Sequence, residues 1–238
     1  MAKRIEASKQ KVDELTLDGV TVEATKVERS VLREAALDDV DLSRARLHDV
    51  SLEAATLADV SLETAELKDV SLKAAKLADV SLAEVSLTDA TFAGGTLTNI
   101  TFAEATIDDA TFAGATLKNV TFEKTQLDDA SFAGGTWKNV SLEKLTVEDA
   151  KATGSTWKDV DLDDATFTDV SAKGSAWIDV DLEQARFDDA NLAGAKLTHV
   201  NLAGAVIDDA DVEGLIINGV DVGKLLQAQG EASSEDEK

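Results

Sequence analysis

Nine aspartates stand at twenty-residue intervals: Asp49, Asp69, Asp89, Asp109, Asp129, Asp149, Asp169, Asp189 and Asp209. Carboxylates repeated at one interval could bind a hard cation through oxygen, share a proton as an acid–base pair, or present a line of negative charge to a basic surface. A second column, half an interval away, runs Asp39, Asp59, Asp79, Asn99, Asn119, Asn139, Asp159 and Asp179 before giving way to His199 and Gly219. Asparagine in place of aspartate argues for a local role, in which a short acceptor side chain hydrogen-bonds turn N–H groups. Stacked carboxylates also repel one another, so the column calls for compensation by backbone N–H groups, counter-cations or a basic partner. Calcium is a poor fit. The chain has no Gly-Gly-x-Gly-x-Asp nonapeptide repeat, and no cage of about six to eight oxygens emerges from the pattern.

Other chemistry is sparse. His48 and His199 lie far apart, outside the apolar pattern and without the context of a metal pair or a serine-based triad, so both are expected on the surface. No P-loop, GxSxG or HExxH occurs, and the absence of cysteine removes thiolate metal sites and thiol nucleophiles. The expectation is a protein that is not an enzyme and uses no cofactor or metal. With 47 acidic against 23 basic residues and a formal charge of -24, nucleic acid and anionic membranes are excluded as partners, and another protein with a basic surface is favoured. The opening MAKRIEASKQK leads into no apolar stretch, and no run approaches the roughly 20 apolar residues of a membrane span, so the expected location is cytoplasmic.

The elements that must carry these columns follow from a period of five. Every fifth residue from Val12 to Val222, 43 positions, is Leu, Val, Ile, Phe, Trp or Ala, and all seven Phe and three Trp fall on this set. Two residues before each of these centre positions, from Leu15 to Val220, stand Ala, Val, Gly, Ile, Leu, Ser or Thr. Inward, outward, inward over three residues is strand geometry, whereas a helix needs spacings of 3, 4 and 7. A period of five therefore describes a very short extended side followed by a turn, repeated around a narrow core.

The columns give the number of sides. Gly94, Gly114, Gly134, Gly154, Gly174, Gly194 and Gly214 recur every twenty residues, as do Phe92, Phe112 and Phe132, and Trp137, Trp157 and Trp177. A ten-residue coil would place Glu104, Lys124, Lys144, Asp164 and Gln184 in the glycine column, so four pentads per coil are preferred. The register also turns the Trp column inward, making it core rather than a stacking platform for bases or sugars.

Segments such as Ala190-Asn191-Leu192-Ala193-Gly194, Val180-Asp181-Leu182-Glu183-Gln184 and Val200-Asn201-Leu202-Ala203-Gly204 resemble the pentapeptide-repeat motif, A(N/D)LxG in loose form, over about nine tenths of the chain. The resemblance implies an all-β fold, a right-handed quadrilateral parallel β-helix, here of about 11 coils and roughly 50 Å at ~4.8 Å per coil. Residues 12–222 would form this solenoid, after a polar segment at 1–11. A short capping helix at 223–230 would lay Leu225 and Leu226 over the last coil, and 231–238 would be a disordered acidic tail. The expected state is a monomer, or a dimer through a rod end.

Two functions compete. An uninterrupted register without local irregularity points to a non-catalytic macromolecular interaction scaffold, or an idealised, designed repeat. The alternative is an acidic DNA mimic. The charge of -24 on such a rod amounts to about one per 2 Å, near the one per 1.7 Å of duplex DNA. Some members of the resembling family engage type II topoisomerases such as DNA gyrase in this way. Those members tend to carry projecting loops or a dimerising C-terminal helix; this chain has no inserted loop, and Lys118, Lys138 and Lys158 interrupt its charge with a basic column. Ice binding through Thr96, Thr116, Thr136 and Thr156 is a weaker third reading, because that column fails at Ala176.

Overall fold

A computed structural model describes residues 6–8, 16–21 and 25–235. The twenty-residue stacking is realised directly: Leu97 pairs with Leu117, Trp137 with Trp157 and Ile107 with Leu127, all in parallel register. Two ladders run along the molecule. One has eleven strands, from Glu6–Ser8 to Val206–Asp208; the other has twelve, from Thr16–Thr21 through Ile216–Ile217 to Val220–Asp221. Between them, parallel bridges join Thr91, Thr111, Ser131, Lys151, Ser171, Asn191 and Asp211 on a further side. The result is an all-β parallel solenoid of about ten turns with one C-terminal helix. The chain leaves the last coil at an Asn218–Gly219 hairpin, where both residues have positive φ and Val220–Asp221 returns antiparallel to Ile216–Ile217.

The core is a column of side chains one coil wide. Centre and small positions are buried along the rod, from Leu37 to Leu197. Phe92 stacks on Phe112 at 4.8 Å and Phe102 on Phe122 at 4.6 Å, with edge-on contacts of 6.1 Å between the two files. Farther along, Trp137, Trp157 and Trp177 stack at 4.4 and 5.1 Å, and all three are inside, as the register required. Their bulk is accommodated because the centre position that holds Phe132 in one coil holds Ala152 and Ala172 in the next two.

What bends the chain into a square is a left-handed backbone at every fifth residue. From Arg29 to Gly214 these corner residues have φ between 46° and 70°. The region is cheap for Gly, tolerable for Asn and Asp, and unfavourable for others, which accounts for the glycine and aspartate columns together. Thr64, β-branched at φ 56°, is the most strained occupant by type.

Both ends differ from expectation. The Glu6–Ser8 strand lies inside the segment read as preceding the repeats, and pairs Ala7 with Val27 in the same twenty-residue register; residues 1–5 and 9–15 lie outside the described part. The helix is Val222–Glu235 rather than 223–230, so it continues through 231–235, read from the sequence as disordered. No proline interrupts it, and Asp221 caps it, accepting the Lys224 N–H at 3.1 Å. It does not lay Leu225 and Leu226 over the last coil, since they remain 48% and 52% exposed.

Candidate functional site

On the side built from residues 106–109, 126–129 and their repeats, the centre residue points in while the next two stand out. The first outward position carries Asp108, Asp128, Glu148, Asp188 and Asp208, with Thr168 as the one neutral member of this stretch. Beside it, at the left-handed corner, stand Asp109, Asp129, Asp149, Asp169, Asp189 and Asp209. Strand pairing stacks Asp108 on Asp128, Asp128 on Glu148, and Asp188 on Asp208. The sequence singled out only the corner file; the adjoining file escaped because it is not uniform, yet the two together make the face.

Compensation on this face is thin. Among the described residues its cationic partner is Arg186, which contacts Asp188 at 3.2 Å and Asp208 at 3.4 Å. Toward the N-terminal half the same side is mixed: Lys26 meets Glu28 at 2.8 Å, Arg46 meets Glu66 at 3.4 Å, and His48 meets Asp69 at 3.2 Å. Asp69 therefore belongs to the column but meets the His48 ring, and the acidic face proper begins near Asp108. The electrostatic consequence is visible in Asp109, whose carboxyl is raised above its ordinary pKa first by a hydrogen bond with Asp89 and then by that residue's charge. Partial desolvation and the charge of Asp189 push Asp169 the same way.

The turn-cap reading of this column is not what the structure has. Among the described residues, none of Asp49 to Asp209 in the column accepts a backbone N–H; the corner backbone selects these residues. Capping is done by two other files, Asp41, Asp161, Asp181 and Asn201 in one and Asn191 and Asp211 half a coil away, each accepting the N–H two residues on, at 2.9–3.1 Å. Asp41 is accordingly held below the usual carboxylate range by hydrogen bonds from Ser43. The signal was the N/D position of the repeat motif itself.

Half a coil away the surface is different. Asn139 donates to Asn119 at 3.1 Å, Asn119 to Asn99 at 2.9 Å and Asn99 to Asp79 at 2.9 Å, a side-chain ladder alongside the strands. Lys118, Lys138 and Lys158 stack next to it, exposed and, among the described residues, without an ion pair. His199 ends the file, exposed and 3.1 Å from Asp179. Among the described residues no three His, Asp or Glu side chains gather as a metal cage.

A four-sided parallel solenoid with a left-handed corner every fifth residue defines a class of repeat protein. Models of the pentapeptide repeat region match residues 35–112 and 75–152, and models of tandem pentapeptide repeats match 152–196 and 185–221. The chain belongs to the pentapeptide-repeat family. No curated protein sequence matches it. Among solved structures it is similar to HetL, a pentapeptide repeat protein involved in heterocyst differentiation regulation from the cyanobacterium Nostoc sp. strain PCC 7120, with 19% identity, 87% of this chain and 91% of that one covered, and a TM-score of 0.40. It is also similar to QnrB1, a plasmid-mediated fluoroquinolone resistance protein, with 13% identity, 96% and 98% covered, and a TM-score of 0.39. Neither likeness is close enough to carry a functional conclusion.

Proposed function

We propose that the protein is a non-catalytic binding rod whose acidic face, from Asp108 to Asp209, docks on a basic surface of another protein. The observation that supports this reading is the pairing of two outward carboxylate files, met within the face, among the described residues, only by Arg186, with the raised pKa of Asp109 and Asp169. A partner bringing Lys or Arg to this face relieves like-charge repulsion, so binding is electrostatic, fast and salt-sensitive.

Calorimetric titration with an arginine- and lysine-rich peptide tests it. Binding weakens steeply with salt. Replacing Asp129, Asp149 and Asp169 together by asparagine, which the left-handed corner accepts, lowers affinity more than tenfold, whereas Glu123→Gln with Glu143→Gln on the adjoining side leaves it nearly unchanged. Equal losses from both sets would mean that bulk charge, not the face, does the binding.

A second reading is favoured by the charge spacing, about one per 2 Å along a rod of roughly 50 Å, which suits a protein that ordinarily grips duplex DNA. The expectation there is inhibition of supercoiling by DNA gyrase, and supercoiling untouched by a large excess of the rod removes this reading while leaving the first standing.

A further inference from the structure

Acidic residues are missing from one flank of the rod. Two adjoining sides, formed by residues 91–94, 111–114, 131–134 and 151–154 and by residues 96–99, 116–119, 136–139 and 156–158, hold no Asp or Glu, although the chain carries 47 of them. The charges that these sides do carry are Lys118, Lys138, Lys151 and Lys158, all exposed and, among the described residues, without an ion pair. Three of them, Lys118, Lys138 and Lys158, stack one per coil. Beside them the corner file changes from Asp79 to Asn99, Asn119 and Asn139, and returns to aspartate at Asp159. The backbone does not require the change, since Asp79 and Asp159 hold that corner at φ 56° and 54° and the asparagines hold it at 52–55°. Carboxylates thus give way where the lysines stand. The remaining outward residues of the flank are Thr, Ser, Ala and Gly, short side chains that let another body come close.

Half a coil from the lysine file, on the opposite side of the same coils, residues 106–109, 126–129 and 146–149 carry Asp108, Asp109, Asp128, Asp129, Glu148 and Asp149 and no base. Over these coils the rod is polarised across its width. Lysines and carboxylates both recur once per coil, ~4.8 Å apart, because one backbone sets both spacings. Two copies laid side by side therefore share a pitch, and one lysine that meets a carboxylate brings its neighbours to the next ones. A partner of unrelated fold has no reason to share it. We propose that the lysine flank of one rod docks on the acidic face of a second copy, so that the chains associate laterally. The two faces lie on opposite sides, so the contact is heterologous, leaves a free face on each outer rod and extends past a dimer into a row. The inference rests on the acidic-face reading and deepens it, by naming the basic surface that the face takes.

Sedimentation velocity on the full chain over a range of salt tests it. The net charge of -24 repels a second copy over the ~30 Å screening length of 0.01 M salt; at ~0.1 M that length is ~10 Å and the contact pairs keep most of their attraction, and at ~1 M it is ~3 Å. The average mass is expected to be that of a monomer at the first, to rise past a dimer with concentration at the second, and to fall back at the third. Two variants identify the surfaces, each with its β-type far-UV spectrum checked first. Lys118→Glu with Lys138→Glu reverses the flank. Asp109→Lys with Asp129→Lys and Asp149→Lys cancels the face, at corners that accept lysine as those of Lys124 and Lys144 do. Each variant alone is expected to remain monomeric and the mixture to associate, because each supplies the surface the other has lost. A wild-type chain that stays monomeric at every salt and protein concentration overturns the proposal, as does association that survives in either variant alone. Titrating the wild-type chain with the arginine- and lysine-rich peptide separates the two readings: peptide bound by a chain that never self-associates overturns this inference and leaves the acidic face standing, whereas a face that takes neither peptide nor second copy removes both.

Discussion

Trp137 shows how finely single residues are set in this core. Trp157 donates its Nε1 proton to Ser155 Oγ at 2.6 Å, and Ser155 in turn donates to the Ala152 carbonyl at 2.6 Å; Trp177, Ser175 and the Ala172 carbonyl repeat the arrangement at 2.5 Å for each bond. One coil earlier the serine is Gly135, and Trp137 Nε1 is buried without a hydrogen-bond partner. A Cβ at Gly135 would stand 3.1 Å from both Trp137 Nε1 and the Phe132 carbonyl and 3.3 Å from the Ala115 carbonyl, tight contacts at the position that Ser155 and Ser175 fill one and two coils on. Gly135→Ser is therefore expected to complete a third relay, stabilising the protein by about 1 kcal/mol through the new hydrogen bonds and the reduced freedom of the unfolded chain. Urea denaturation reads this as a higher midpoint with an unchanged slope. A midpoint that falls would mean that the crowding at Phe132 outweighs the bond.

At the scale of the coil edge, the stacked carboxylates make stability run against the usual pH trend. Asp109 and Asp169 are raised in the folded state, so the native chain holds protons that the unfolded chain has already released. Their contribution is favourable at low pH and is lost as pH rises through the window just above the ordinary Asp value of about 3.9. Asp41 is lowered and acts in the opposite sense: its stabilisation is present above the unfolded value and disappears on acidification. Asp109→Asn, which fits the corner and can donate to Asp89 as Asn99 donates to Asp79, is expected to raise Tm at neutral pH, with the gain shrinking toward about pH 4. A gain independent of pH would trace to the corner backbone instead of the charge. Much of this was legible in the chain alone. The fivefold and twentyfold spacings placed Trp137, Trp157 and Trp177 inside and stacked, because burial is a property of spacing. What spacing does not encode is which polar atom meets which. The corner aspartates and the capping aspartates are the same residue type a few positions apart, and only backbone dihedrals separate a residue chosen for its φ from one chosen for its acceptor. The ends were misread for a related reason, since Leu225 and Leu226 look like a lid in sequence while the Asn218–Gly219 hairpin decides where the helix goes.

For the molecule as a whole, stability resides in neighbouring-coil contacts, so the unit that can be removed is set by the coil and not by the motif. Deleting residues 116–135, one full coil, joins strands already in register and is expected to lower Tm only modestly. Deleting residues 116–125 shifts every later side by half a coil, setting Trp137 over Ile107 and Asn139 over Asp109, and is expected to be markedly more damaging. Thermal melts followed by far-UV circular dichroism compare the two, and equal losses would show that the pentad, rather than the set of four, is the cooperative unit. The left-handed corner carries a final consequence. From Arg29 to Gly214 the dihedral there barely changes whether the occupant is Arg, Ala, Lys or Gly, so the bend survives almost any letter. The outward letters of each pentad, apart from the capping Asp or Asn and a preference for Gly, Asp and Asn at the corner, then become text printed on a fixed press: lineages can rewrite much of what the rod says to its surroundings, one square of the grid at a time, without renegotiating how it folds.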